Sequence, residues 1–144
     1  ERRLERCHRP YHRAVASAID AIEGEGALPV LVSIHSFTPQ LRGRSLRPWH
    51  LALLWDQDDR LLRPLVEALM AEPEVGGEPL CIGDNEPYTG ALAGDCMNQH
   101  GTRRGLPHIL IEVRNDLIAV PEGQAAWGGR LARAVQVAVG QMVV

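Results

Sequence analysis

Short apolar runs that end at polar or turn-forming residues recur along the chain, and this pattern predicts strands. Four such runs predict strands over residues 30–35, 50–55, 80–83 and 108–113. The first and fourth contain the aliphatic segments Val-Leu-Val and Ile-Leu-Ile, which indicates that both strands are buried.

Apolar residues three or four positions apart predict helices between the strands. The first helix includes Tyr11 and ends at residues 24–26. Because Pro10 would break a helix interior, this helix starts near Arg9 or kinks there. A closing helix is predicted over about residues 124–139.

The middle of the chain combines one further helix with turn-rich segments. This helix runs to Met70, and we expect Asp58 or Asp59 to cap its start. Residues 73–79 form a turn-rich linker, and residues 89–106 form a long polar loop. Long loops in compact domains are usually functional or disordered.

Strands that alternate with helices predict an α/β fold, with a mostly parallel or mixed sheet and helices on both faces. The 144 residues are enough for a single domain that buries about two thirds of its unfolded surface. The chain opens on a helix-like segment without an initiator methionine. We therefore expect it to be the C-terminal, larger part of a longer protein, with an N-terminally incomplete sheet.

Composition narrows the class of protein further. The chain is 45% hydrophobic and 23% charged, as in ordinary globular proteins, and its net charge is −3. This charge gives no reason to expect nucleic acid or a membrane as a partner. No apolar stretch approaches the roughly 18 residues that span a bilayer. Three cysteines without CxxC spacing favour a reducing, cytoplasmic setting.

His35 and Glu112 each lie at the end of a predicted buried strand, where open α/β sheets bind their ligands. The imidazole is a candidate metal ligand, and the carboxylate is a candidate general base because desolvation raises its pKa. The structural alternatives are a hydrogen-bonded histidine, and an ion pair between Glu112 and Arg114 on one face of the strand.

Other polar residues are weaker candidates. Asn85 and Tyr88 could orient a substrate, although an ordinary Asx-Pro turn is the simpler interpretation. His8 and His12 have a spacing that could hold a metal, but without an HExxH glutamate we favour a surface or packing role. Arginines in the predicted loops could bind a carboxylate bidentately: Arg42, Arg44, Arg47, Arg103 and Arg104.

Four motifs, taken together, resemble the N-formylglutamate amidohydrolase family in their order and spacing. They lie at residues 34–39 (IHSFTP), 84–88 (DNEPY), 104–107 (RGLP) and 111–118 (IEVRNDLI). Residues 10–12 (PYH) and Trp127 are also in keeping with that family. The family resembles the zinc carboxypeptidases in fold, a phosphorylase/hydrolase-like arrangement.

The resemblance implies a zinc-dependent amidohydrolase of amino-acid catabolism that splits N-formyl-L-glutamate, or a related N-acyl amino acid, into formate and glutamate. That reaction ends a route of histidine degradation. His35 would be the last ligand of one zinc ion, with the remaining ligands expected N-terminal to this chain. Glu112 would activate the zinc-bound water. Residues expected to bind the small-molecule substrate are Arg114, Arg104, Asn85, Tyr88, Ser36, Arg44 and Arg47, of which Arg104 and Arg114 are the first choices.

Two other functions remain open. Relatives with this scaffold could cleave other acylated amino acids or peptides, because the motifs set the chemistry and the loops set the pocket. The chain could instead be a non-catalytic α/β binding protein that keeps the fold with an incomplete metal site. We also expect association between copies, because a truncated sheet would expose a strand edge and apolar faces.

Overall fold

The computed structural model describes residues 1–142, with a four-stranded sheet at the centre of the domain. The elements in chain order are α1 (Arg9–Gly24), β1 (Leu31–Phe37), β2 (Leu51–Leu54), α2 (Leu62–Met70), β3 (Glu74–Val75), β4 (Glu78–Pro79), β5 (Ile82–Asp84), α3 (Cys96–His100), β6 (His108–Arg114) and α4 (Pro121–Gln141). A π-helical turn (Leu4–His8) precedes α1, and 3₁₀ turns (Thr102–Arg104 and Asn115–Ile118) flank β6.

The sheet is mixed, with the strand order β1–β6–β2–β5. Strand β6 pairs in parallel with β1 and antiparallel with β2, and β2 pairs in parallel with β5. The α/β class with a mixed sheet, predicted from alternating strands and helices, is therefore confirmed. The register places Glu112 beside His35 on one side and beside Ala52 on the other.

One face of the sheet is covered by α2 and α4, which also pack against each other. Ile109, Ile111 and Val113 of β6 point to this face, because alternate residues of a strand share a side. They meet leucines of α2 and an α4 stripe that includes Trp127 and Leu131. This layer is the main hydrophobic core of the domain.

The opposite face carries a smaller apolar cluster of Phe37, Ala52 and Leu54, with Leu110 packed against it. Helix α3 lies on this side and contacts β6. A side chain at Gly101, just after α3, would place its Cβ 2.4 Å from the His108 ring. Only glycine therefore allows α3 to approach β6 so closely, and the helix becomes part of this face.

The predicted helices at the two ends of the chain are confirmed, and the closing helix is longer than predicted. Helix α1 begins at Arg9, so Pro10 lies in its first turn. Helix α4 begins at Pro121, three residues before the predicted start. In the described part of the chain, no helix is both long and apolar enough to cross a bilayer.

The predicted cap of α2 is wrong. The helix starts at Leu62 with Leu61 as its N-cap, and no side chain of the described residues caps it. Asp58 instead forms an ion pair with Arg60, which lies two residues further along. The Asp58 carboxylate therefore binds a neighbouring guanidinium. At the start of the helix, backbone hydrogen bonds such as Leu62 N–H to Asp59 O take the place of a side-chain cap.

The two segments predicted to lack regular structure both contain some. The linker over residues 73–79 forms a two-stranded hairpin of β3 and β4. The long loop over residues 89–106 contains α3 and a 3₁₀ turn. A five-residue helix is too short to show helical periodicity, but Asp95 caps α3 by accepting a hydrogen bond from Asn98 N–H at 2.7 Å.

Ile34 and Ile111 are register partners on β1 and β6 and offer a matched test of the core. Ile111 is fully buried, whereas Ile34 is 54% exposed. Ile111→Ala should lower the free energy of unfolding by about 2–5 kcal/mol, since it leaves a cavity. Ile34→Ala should cost less than about 1 kcal/mol. Urea unfolding measures both values, and equal losses would contradict this assignment of the core.

Candidate active site

A cavity of about 700 Å³ opens on the sheet face that carries His35 and Glu112. Strands β1, β2 and β6 form its base, and the loop after β5 together with α3 forms its sides. Because β1 and β6 are parallel, their carboxyl halves deliver these two side chains to the same place. The two residues singled out from the sequence are therefore brought together.

His35 and Glu112 form the polar centre of the cavity. The His35 Nδ1 atom lies 4.0 Å from Glu112 Oε1. The Glu112 side chain is 9% exposed, and its Oε2 atom is buried without a hydrogen-bond partner within residues 1–142. The His35 side chain is 55% exposed and faces the open part of the cavity.

Burial raises the pKa of Glu112 above its ordinary value, because a carboxylate loses hydration at this position. The charges of His35 and Arg47 oppose part of that rise. A buried oxygen without a partner among residues 1–142 and a raised pKa are properties expected of a carboxyl group that acts as a general acid or base. The proposed structural ion pair with Arg114 is not found, because Arg114 binds Asp116 at 2.8 Å.

Arg47 reaches the same region from the loop between β1 and β2. Its guanidinium lies 5.7 Å from the centre of the Phe37 ring and 5.1 Å from that of Tyr88. It donates hydrogen bonds to Thr38 O at 3.0 Å and to Tyr88 Oη at 3.2 Å. Two aromatic rings and two acceptors therefore hold this cation next to the cavity, which Tyr88 lines.

Asn85 braces the loop that forms one side of the cavity. Its φ of 50° lies in the left-handed region, which asparagine tolerates better than most residues. Its Oδ1 accepts hydrogen bonds from Trp55 N–H at 3.1 Å and Gly90 N–H at 2.9 Å. A Cβ at Gly90 would lie 2.4 Å from Trp55 N, so the loop approaches β2 as closely as a backbone can.

The structure does not bring the remaining predicted residues to the cavity lining. Arg104 binds Asp20 at 2.7 Å and Glu23 at 2.6 Å, both on α1. Arg114 also donates long hydrogen bonds to two loop carbonyl oxygens. Two further candidates are exposed: Ser36, on the opposite face of β1 from His35, and Arg44, in the loop before β2.

Sequence reasoning missed the apolar wall of the cavity. Leu54 and Leu110 contribute from the sheet, Met97 from α3, and Leu92 from the preceding loop. Leu54 and Leu110 could have been placed there from strand alternation, because they lie two residues from Ala52 and Glu112 on the same face. Met97 and Leu92 lie in the segment that the sequence predicted as a loop.

Helix α3 is joined to α1 by a pair of imidazoles. His12 Nδ1 and His100 Nε2 share a hydrogen bond at 2.8 Å, and the rings of His8 and His12 are 4.2 Å apart. Burial, followed by the charges of His12 and Arg104, lowers the pKa of His100. The packing role predicted for His12 agrees with this contact.

The donor atoms present fit part of a zinc site. His35 offers an imidazole beside a carboxylate, which is the chemistry that zinc uses. Among residues 1–142, however, no group of three histidine, cysteine, aspartate or glutamate side chains could hold a metal ion. These residues therefore supply one candidate ligand and do not complete a site.

The fold and this site together define an α/β protein with a buried carboxylate in a cavity on one face of its mixed sheet. The model of the N-formylglutamate amidohydrolase family matches residues 1–119. The chain belongs to the N-formylglutamate amidohydrolase family. The matched region includes every residue of the cavity described above.

The chain is similar to several solved structures, including the following two. The gene product Atu2144 from Agrobacterium tumefaciens is 34% identical with a TM-score of 0.77, and the match covers 91% of this chain and 50% of that one. An N-formylglutamate amidohydrolase from Ralstonia eutropha JMP134 is 21% identical with a TM-score of 0.62, with coverages of 96% and 51%. The chain thus spans about half the length of both. No curated protein matches it significantly.

The raised pKa of Glu112 predicts how stability changes with pH. The folded state binds more protons than the unfolded state between the ordinary pKa and the raised one. The contribution of this group to stability is therefore full below its unfolded pKa and is lost as pH rises through its folded pKa. Glu112→Gln removes that loss, so the variant should be more stable than wild type at neutral pH.

Urea unfolding between about pH 4 and 8 measures this difference. The curves of wild type and Glu112→Gln should converge at the acidic end. Glu25→Gln, a change at an exposed residue, should follow the wild type throughout. A Glu112→Gln protein that is less stable than wild type at pH 7 would contradict the inferred cost of the buried charge.

Proposed function

We propose that this chain carries the acid–base half of a metal-dependent hydrolase that cleaves the amide of an N-formyl or N-acyl amino acid. N-formyl-L-glutamate is the reference substrate, because the chain belongs to the family of that name. The observation that carries the proposal is the buried Glu112 side chain in an open cavity. Its Oε2 has no hydrogen-bond partner within residues 1–142, and its Oε1 lies 4.0 Å from His35 Nδ1.

In this proposal Glu112 moves the proton of the reaction. It accepts a proton from the attacking water while the water oxygen bonds to the formyl carbon. It then passes that proton to the departing nitrogen as the carbon–nitrogen bond breaks, so formate and the free amino acid are released. A raised pKa suits both steps, because the group must accept and donate at the same working pH.

His35 is the ligand that this chain offers to a zinc ion. When bound, such an ion makes water more acidic and stabilises negative charge on the carbonyl oxygen. The other ligands would come from outside the described residues, in which no complete set is present. The exposed half of the His35 side chain leaves room for such a group on the open side of the cavity.

Arg47 and Tyr88 are proposed to hold the carboxylate of the substrate. A guanidinium pairs with a carboxylate bidentately, and stacking on Phe37 and Tyr88 fixes its plane. Arg104 and Arg114 were the first choices from sequence, but both are already paired with acidic side chains. Arg47 has no carboxylate partner among the described ion pairs, which supports it over those two.

Formate release from N-formyl-L-glutamate tests the proposed reaction. Glu112→Gln should lower kcat by a factor of about 100 to 10,000, the range typical of a lost general base. The control Glu25→Gln changes an exposed glutamate at the end of α1 and should leave kcat unchanged. Unchanged turnover in Glu112→Gln would remove this residue from the reaction.

The zinc content of two variants distinguishes metal binding by His35 from proton transfer by Glu112. His35→Ala should lower the zinc bound per chain, measured by elemental analysis, whereas Glu112→Gln should leave it unchanged. Equal zinc in wild type and His35→Ala would show that His35 is not a ligand.

Replacement of Arg47 should weaken substrate binding. Arg47→Met should raise KM about 10- to 100-fold with little change in kcat, because a charge-assisted hydrogen bond is lost from both the ground state and the transition state. Arg63→Met is the matched control, since its side chain is 87% exposed on α2. Steady-state kinetics give both constants, and a normal KM in Arg47→Met would exclude it as the carboxylate partner.

A further inference from the structure

The cavity beside Glu112 has an apolar wall that the reaction chemistry does not require. Leu54 and Leu110 of the sheet, Met97 of α3 and Leu92 of the adjoining loop form it. Met97 is buried, whereas Leu92 is 60% exposed at the mouth. Apolar side chains on several elements around one opening are typical of a site that takes up an apolar group.

The charged residues around the cavity also favour an apolar group at this wall. Two carboxylates, Asp95 and Glu112, belong to its lining, and no arginine does so within the described residues. Among the arginines of residues 1–142, Arg47 reaches this region through its contacts with Tyr88. Asp95 is fixed in place because its side chain caps α3. On the side of the cavity formed by Leu92 and Met97, the lining within residues 1–142 therefore offers no arginine or lysine to a second carboxylate on the ligand.

We infer that the preferred substrates are N-acyl amino acids with a single carboxylate and an apolar side chain. Arg47 binds the carboxylate, the amide lies between His35 and Glu112, and the side chain packs against Leu92 and Met97. This inference rests on the proposed function and narrows its substrate class. A second carboxylate, as in a glutamate derivative, would face the apolar wall or the acidic groups of the lining.

Kinetics on three substrates test the preference. The value of kcat/KM should be at least about tenfold higher for N-formyl-L-leucine and N-formyl-L-methionine than for N-formyl-L-glutamate. A higher value for N-formyl-L-glutamate would overturn the inference and leave the proposed function standing.

A change of charge at the mouth of the cavity tests whether the substrate side chain packs against the apolar wall. Leu92→Lys adds a cation at an exposed position, so the ratio of leucine to glutamate derivatives should fall about tenfold. Leu28→Lys is the matched control, at a leucine that is 42% exposed and lies outside the cavity, and it should leave the ratio unchanged. An unchanged ratio in Leu92→Lys would overturn the assigned position of the side chain.

Binding measurements test the substrate preference even if the protein hydrolyses none of these substrates. A lack of hydrolysis would count against the proposed function and not against the preference. Isothermal titration of Glu112→Gln with N-acetyl-L-leucine and N-acetyl-L-glutamate measures cavity preference without turnover. Tighter binding of the leucine derivative, weakened by Leu92→Lys, supports the inference. Equal binding, or tighter binding of the glutamate derivative, overturns it.

Discussion

Strand β6 contributes side chains to both the main core and the candidate site, because alternate side chains of one strand point to opposite faces of the sheet. Ile109, Ile111 and Val113 enter the core under α2 and α4, and Glu112 between them enters the cavity. The buried carboxylate is thus fixed by the packing of its neighbours. The stability of the core is what keeps a desolvated charge in place, at a cost in free energy that favours proton binding.

The groups around Glu112 are fixed by loops that the sheet supports. Arg47 lies between two aromatic rings, and Asn85 ties the loop after β5 to the end of β2 through two backbone N–H groups. Helix α3 is held against β6 at Gly101 and against α1 through His100. The sheet therefore forms the base of the site. The sides of the cavity are formed by short loops and by α3, which are held in place by local hydrogen bonds and close packing.

The sequence was sufficient to locate the four strands of the central sheet, because buried strands show as apolar runs. It also predicted that His35 and Glu112 lie close together, because polar residues at the ends of strands share one edge of the sheet. It was insufficient for the arginines. Arg104 was chosen for its motif, yet its partners Asp20 and Glu23 lie more than 80 residues away in the chain. Asp58 failed as a cap because Arg60 competes for its carboxylate, and α3 was missed because five residues show no period.

The alternation of β6 also restricts how this protein can change over evolution. An insertion or deletion of one residue within the strand would reverse the direction of every side chain beyond it. Ile111 would then point into the cavity and Glu112 into the apolar layer under α4. Changes of length in this region therefore belong in the segments on either side of the strand. A change of length between Gly90 and α3 would reshape the cavity while the carboxylate keeps its position.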